Sequence, residues 1–174
     1  MPNHCHNRVT FYSENESDIK KLHDIFSKGL KGDDEVKESV FGHFVPEPKW
    51  EETPLSEEDQ YKSLYRRKVG EVGELPVMVI NEDKPFLSGL RFKSTDVNDE
   101  RWYDWRCQNW GTKWDCYTLK ISDDFEMPYG FQVTFDTAWS PPEKICSAIR
   151  EQYPNVSISW FYDDPGCEIA GYLK

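Results

Sequence analysis

The sequence predicts an α+β sandwich of the split β-α-β kind, an antiparallel sheet with two helices on one face. Three observations lead there. Segments 116–122, 131–137, 156–162 and 167–173 alternate apolar with polar residues, the period of half-buried strands. Two amphipathic helical segments flank them. The order strand, helix, long excursion, strand, strand, helix, strand, strand is that of a split β-α-β with an added edge strand.

Residues 8–12 (Arg-Val-Thr-Phe-Tyr) are β-rich and alternate, giving the first strand. Asn15, Glu16, Ser17 and Asp18 offer cap oxygens, Ile19, Leu22, His23 and Phe26 follow at helical spacing, and Gly29 ends that helix. His23 lies on the apolar face and reads as a neutral core histidine. Period is lost from 31 to 54, where the prolines favour extended backbone and Phe41, Phe44 and Trp50 tack the chain to the body. A helix is predicted from Ser56 with Tyr61, Leu64 and Tyr65 as its stripe and Gly70 as its end; short strands follow near 75–80 and 90–92.

The segment 102–115 carries four of the seven tryptophans. Asn98 or Asp99 can cap a helix there, and Gly111 supplies a left-handed stop after Trp110. Trp102, Trp105, Arg106 and Asn109 recur at helical spacing, while Trp110 and Trp114 fold back around the glycine. Each buried aromatic removes roughly 150–250 Å² from water. Trp102, Trp105, Asn109 and Gly111 are therefore expected as structural anchors of a packed corner.

In the last third, Tyr117, Leu119 and Ile121 share one strand face, and Phe131, Val133 and Phe135 face inward on the next. Ser140 followed by Pro141, Pro142 and Glu143 predicts a capped helix start with a capping box. Ile145, Ile149 and Tyr153 line that helix. Val156, Ile158, Trp160 and Tyr162 form a third strand, and a turn at 163–166 leads to Cys167, Ile169, Gly171 and Leu173 in the last. One domain of 174 residues is expected, with an insertion from about 30 to 115. The outward face of its sheet would carry Thr10, Tyr12, Thr118, Lys120, Gln132, Thr134, Asp136, Ser157, Ser159 and Phe161.

The formal net charge is −11, spread along the whole chain. Phosphate backbones are held by clustered Lys and Arg. The one dense basic run, Arg66-Arg67-Lys68, lies between acids, so duplex nucleic acid is disfavoured and a basic protein surface is an acceptable partner. Single-strand binding on the open face is disfavoured too, for want of a basic rim, although Tyr12 and Phe161 could stack bases. No apolar run approaches the roughly 20 residues a bilayer demands. Met1 to His6 lacks a basic segment followed by an apolar one, which points to a cytoplasmic protein. Five scattered cysteines without a C-x-x-C pair predict reduced, mostly buried thiols.

His4, Cys5 and His6 fall short of the four ligands of a tight zinc site, so no metal is expected. Nucleophile-elbow, phosphate-loop, zinc-protease and dinucleotide motifs are missing from the sequence. The acid pairs Glu57-Glu58, Asp123-Asp124 and Asp163-Asp164 read as solvated or capping. Asp115 and Asp136 flank the tryptophan-bearing blocks, and Asp115 is expected to accept from an indole or from local backbone.

Pro2-Asn3 with Cys5 and Asn7, the block from Asn109 to Asp115, the block from Phe135 to Pro142, and a late segment ending in Ala170-Gly171 resemble the Api92-like (YubB ferredoxin-like) family. The resemblance implies a ferredoxin-like domain in a phage or conjugative-plasmid setting. It brings no catalytic residues or cofactor, and His4 stands where the family often has tryptophan. The sequence thus predicts a non-catalytic acidic module that binds a host protein, as a counter-defence inhibitor in that setting. The alternative is an enzyme or small-ligand protein with an aromatic pocket between insertion and sheet, lined by Trp110, Trp114, Trp139 and His43; a second alternative is single-stranded nucleic-acid binding on the open sheet face. Asp115 joins those four as a candidate binding residue. The oligomeric state is left open.

Overall fold

Strand β1 (His4–Tyr12) runs through the middle of a five-stranded antiparallel sheet. The computed structural model describes residues 3–30, 38–50, 52–53, 61–63, 77–79, 89–93, 101–122 and 128–174. The chain divides into two compact units, Met1–Glu47 with Tyr103–Lys174, and Pro48–Trp102.

In the first unit, β1 leads to helix α1 (Glu16–Lys28) and the short helix α2 (Val40–Phe44). Of the expected insertion, residues 38–47 and 103–115 fall in this unit. The second unit holds a three-stranded sheet in which β2 (Tyr61–Ser63) and β3 (Val77–Val79) each pair antiparallel with β4 (Gly89–Lys93). Helix α3 (Arg101–Asn109) spans the division. Strands β5 (Tyr117–Ser122) and β6 (Gly130–Ala138), helix α4 (Glu143–Gln152), and strands β7 (Ser157–Asp164) and β8 (Ile169–Leu173) complete the first unit.

Its sheet order is β5-β6-β1-β7-β8. β1 pairs antiparallel with both β6 and β7, which α4 connects. It therefore lies between two strands joined by a helix, which is the split β-α-β arrangement. The fold is ferredoxin-like, with β8 as the added edge strand.

Parity along the strands divides the two faces. Cys5, Asn7, Val9 and Phe11 of β1, Phe131, Val133, Phe135 and Thr137 of β6, and Ile158 and Trp160 of β7 are buried. They share the core with Ile19, Leu22, Ile25 and Phe26 of α1 and Ile145, Cys146 and Ile149 of α4. Each such aliphatic or phenyl side chain contributes about 1.5–3 kcal/mol by leaving water. Helix α1 starts where Asn15 Oδ1 accepts from Ser17 N at 3.1 Å, with Glu16 and Asp18 in its first turn and Lys28 in its last, the charge order its dipole favours. Val40, Phe41 and Phe44 add α2 to the same core. Gly29 lets α2 approach, since a Cβ there would stand 2.5 Å from Val40 Cγ2.

Several expectations are corrected. Tyr61–Ser63 is strand rather than helix, because its backbone bonds go across to Phe92 and its neighbours on β4 rather than along the chain. Helix α4 has Pro142 as its N-cap and no side-chain cap; the Ser140 hydroxyl donates instead to Gly111 O at 2.6 Å. The final turn runs through residue 168, with Glu168 at φ 56, so Cys167 lies outside the strand. On the edge strand Ile169 is 48% exposed and only Leu173 is buried. Cys5 and Cys146 are buried but Cys107 and Cys167 are exposed, so the thiols are not mostly buried. The expected caps Asn98, Asp99 and Ser56, the stripe residues Leu64 and Tyr65, Gly70, Arg66-Arg67-Lys68 and the pairs Glu57-Glu58 and Asp123-Asp124 lie outside the described residues.

Candidate functional site

A buried polar seam ties the start of β1 to the tryptophan-bearing turns. Asn7 Nδ2 donates to Cys5 O and to Thr137 Oγ1, both at 3.0 Å, and Asn7 Oδ1 accepts from Trp160 Nε1 at 3.0 Å. Thr137 Oγ1 donates to Ser140 O at 2.8 Å, and Thr112 Oγ1 to Ala138 O at 2.9 Å. These residues face the core and are satisfied there, as buried polar groups must be. Sequence reading gave Asn7 and Thr137 no role. Their clue was a polar residue at an inward position of an alternating strand.

The tryptophans divide between core and surface. Trp110 is 1% exposed, meets Phe41 and Trp105 edge-on, and donates its Nε1–H to Val45 O at 2.9 Å. Gly111 makes the stop at φ +85, and Asn109 Nδ2 bonds Trp105 O at 2.8 Å. Trp105 is partly buried against the core. Trp102 is half-buried. The Asp115 carboxylate receives no indole: Oδ1 takes Phe41 N at 3.1 Å and its neighbour Cys116 N at 2.7 Å, while Oδ2 takes the Ser39 hydroxyl at 2.5 Å. Asp115 therefore pins the start of α2.

Trp114 and Trp139 are 38% and 51% exposed. The Lys113 ammonium lies 4.2 Å from the Trp114 ring centre and 5.7 Å from that of Trp139. Trp139 sits in the left-handed region at φ 73, where a bulky residue is strained. Trp114 meets Tyr117 edge-on at 6.4 Å, and the Tyr117 hydroxyl reaches His4 Nδ1 at 2.9 Å. Burial, then the Asp136 carboxylate, then Cys5 raise the Tyr117 pKa above its ordinary value. Of the expected pocket residues, the structure brings Trp114 and Trp139 together around Lys113. It places Trp110 in the core and His43 on the exposed side of α2.

This aromatic patch adjoins a cleft on the open face of the sheet. β1 begins at His4, four residues earlier than the sequence reading had it, so His4, His6 and Arg8 stand outward beside Thr10 and Tyr12. The cleft, of about 500 Å³, is lined by His6, Arg8, Lys120, Asp136, Phe161 and Asp163, with Thr118 and Thr134 between them. Its rows follow from strand register. His6 is the partner of Asp136 on one side and Asp163 on the other; Arg8 is the partner of Thr134 and Phe161, and Lys120 of Thr134.

One row is internally satisfied. His6 Nδ1 stands 2.6 Å from Asp136 Oδ1, and Thr118 donates to Asp136 Oδ2 at 2.5 Å. Thr118 reaches it from a register shift between Tyr117 and Lys120, at φ 52, a bulge that re-aims the side chain. In the other row the Arg8 guanidinium lies 5.3 Å over the Phe161 ring, which meets Tyr172 edge-on. Inside the sheet, burial pushes the Cys5 thiol up to about 11; its bond with Thr137 lowers it in part, and the carboxylates of Asp164, Asp163 and Asp136 add to the rise. Among the described residues no group of three or more His, Cys, Asp or Glu side chains could hold a metal ion.

A family model for the ferredoxin-like domain in Api92-like protein matches residues 113–174. This C-terminal part is similar to that family's domain. The matched segment holds β5, β6, α4, β7 and β8, hence the Trp114–Trp139 patch and all of the cleft except its β1 residues. The protein YubB of Escherichia coli (strain K12) is 30% identical over 76 residues, which cover 41% of this chain and 49% of that protein. The chain thus spans about half the length of this curated relative. A crystal structure of the Api92 protein of Yersinia pseudotuberculosis aligns with 99% of this chain and 93% of its own, at 12% identity and a TM-score of 0.45. Among the described residues no helix is long and apolar enough to cross a membrane.

Proposed function

We propose that this protein is a non-catalytic binding module of a mobile genetic element, which docks on a basic host protein and so blocks a defence function. The observation that carries the reading is the exposed indole pair around Lys113. Tryptophan is the residue type most enriched where interfaces concentrate their binding energy. These two rings are partly exposed and lie outside the core cluster, and Trp139 sits in the left-handed backbone region. The net charge of −11 favours a basic partner and speeds encounter with it.

The test compares the wild type with Trp114→Ala/Trp139→Ala in affinity capture from bacterial lysate at low salt. Both side chains are exposed, so melting of the double variant is expected to stay within a few degrees of the wild type. A basic protein retained by the wild type and lost from the double variant is the expected result. Capture of nothing specific, or of the same proteins by both, would overturn the reading.

A further inference from the structure

The open-face cleft holds three charged groups that nothing among the described residues satisfies. Among the described residues the Arg8 side chain makes no hydrogen bond and its guanidinium is engaged only by the Phe161 ring; the side chains of Lys120 and Asp163 have neither a hydrogen bond nor an ion pair. Asp136, by contrast, has both oxygens occupied. The unsatisfied groups are also sorted by position. Arg8 and Lys120 share one cross-strand row, each paired with Thr134. Their Cα atoms are two strand spacings apart, roughly 10 Å, which long side chains can close above the threonine hydroxyl. Asp163 stands in the next row, opposite His6, about 7 Å further along the strands.

We propose that this cleft is a binding site for a nucleoside phosphate. The phosphate sits between Arg8 and Lys120 above Thr134, the base lies against the Arg8–Phe161 stack, and an exocyclic amine donates to Asp163. Each part has its physical reason. A guanidinium fork and an ammonium converging on one point match a phosphate. An arginine plane lying over an aromatic ring is a surface on which a base stacks. A carboxylate without a donor accepts from an amine, which cytosine and adenine carry and uracil lacks. A cavity of about 500 Å³ falls within the range of small-ligand sites. The local cations answer the overall charge of −11, which would otherwise repel such a ligand. The site is separate from the indole patch and does not depend on the protein-docking reading.

Isothermal titration of the full chain with CMP, UMP, cytidine and inorganic phosphate tests it. CMP is expected to bind at least fivefold tighter than UMP, and at least tenfold tighter than cytidine or inorganic phosphate. Arg8→Gln/Lys120→Gln is expected to weaken CMP tenfold or more. Asp163→Asn is expected to abolish the preference for CMP over UMP while leaving UMP binding near its wild-type value, a pattern that loss of folding would not give. Trp114→Ala/Trp139→Ala is expected to leave CMP binding unchanged. A short oligocytidylate separates the two sources of this chemistry: much tighter binding than CMP assigns the site to a single strand, and equal binding assigns it to the free nucleotide. No heat from CMP or the oligomer at millimolar concentration, equal affinity for CMP and UMP, or phosphate binding as tightly as CMP would overturn the proposal.

Discussion

Trp110 and Asn7 show how single residues hold this molecule. The Trp110 ring fills the junction of Phe41 and Trp105 and carries the Arg106 guanidinium 4.8 Å from its centre, while its N–H satisfies a backbone carbonyl. Trp110→Ala leaves a cavity and an unpaired Val45 carbonyl, with an expected loss of about 3–5 kcal/mol in denaturant unfolding. Trp110→Phe keeps most of the packing and loses the hydrogen bond, with an expected cost of about 1–2 kcal/mol. If the two cost the same, the ring is not the support described. At this scale the sequence was legible where strand parity decides, as at Phe135, read as inward and buried, whereas Trp110 was counted as a pocket residue and lies in the core. It was not legible at Asn7, because a buried asparagine acquires its meaning from Thr137 and Trp160, 130 and 153 positions away. The same distance hid the open-face cations: Arg8 joins Lys120 only once the strands are in register.

Among the elements, α2 depends most on something outside itself. Five residues are too few for a helix to persist alone in water. The Asp115 carboxylate holds it from 74 positions away through Phe41 N, and through the Ser39 hydroxyl that also accepts from Gly42 N. Asp115→Ala is expected to speed amide exchange across residues 40–45 at least tenfold, about 1.4 kcal/mol of local stability, with β1 and β6 unchanged; uniform acceleration would show that the carboxylate supports the whole fold instead. Element types were readable where one period dominates, as in β5, β6, β7 and α1. They were misread where local chemistry competes with distant pairing. Tyr61 fits a helical stripe but pairs across to Lys93. Ser140 looks like a cap, yet its hydroxyl serves the Gly111 turn.

For the molecule as a whole, the order of strands in the sheet matters more than any one contact. The split β-α-β was readable from the sequence because parity and element order both survive a long excursion. The division of the chain at Glu47 and Trp102 was not, since a contact boundary leaves no mark on local periodicity. The segment 113–174 contains β6 and β7, but the strand that lies between them comes from the far end of the chain. Produced alone, residues 113–174 have two strand edges facing an empty slot, and cooperative melting is not expected. Adding a synthetic peptide of residues 3–30 is expected to restore it, through a saturable one-to-one titration followed by circular dichroism. The five-stranded sheet is in effect a two-piece assembly that happens to be covalently joined, and one piece is a template waiting for its insert.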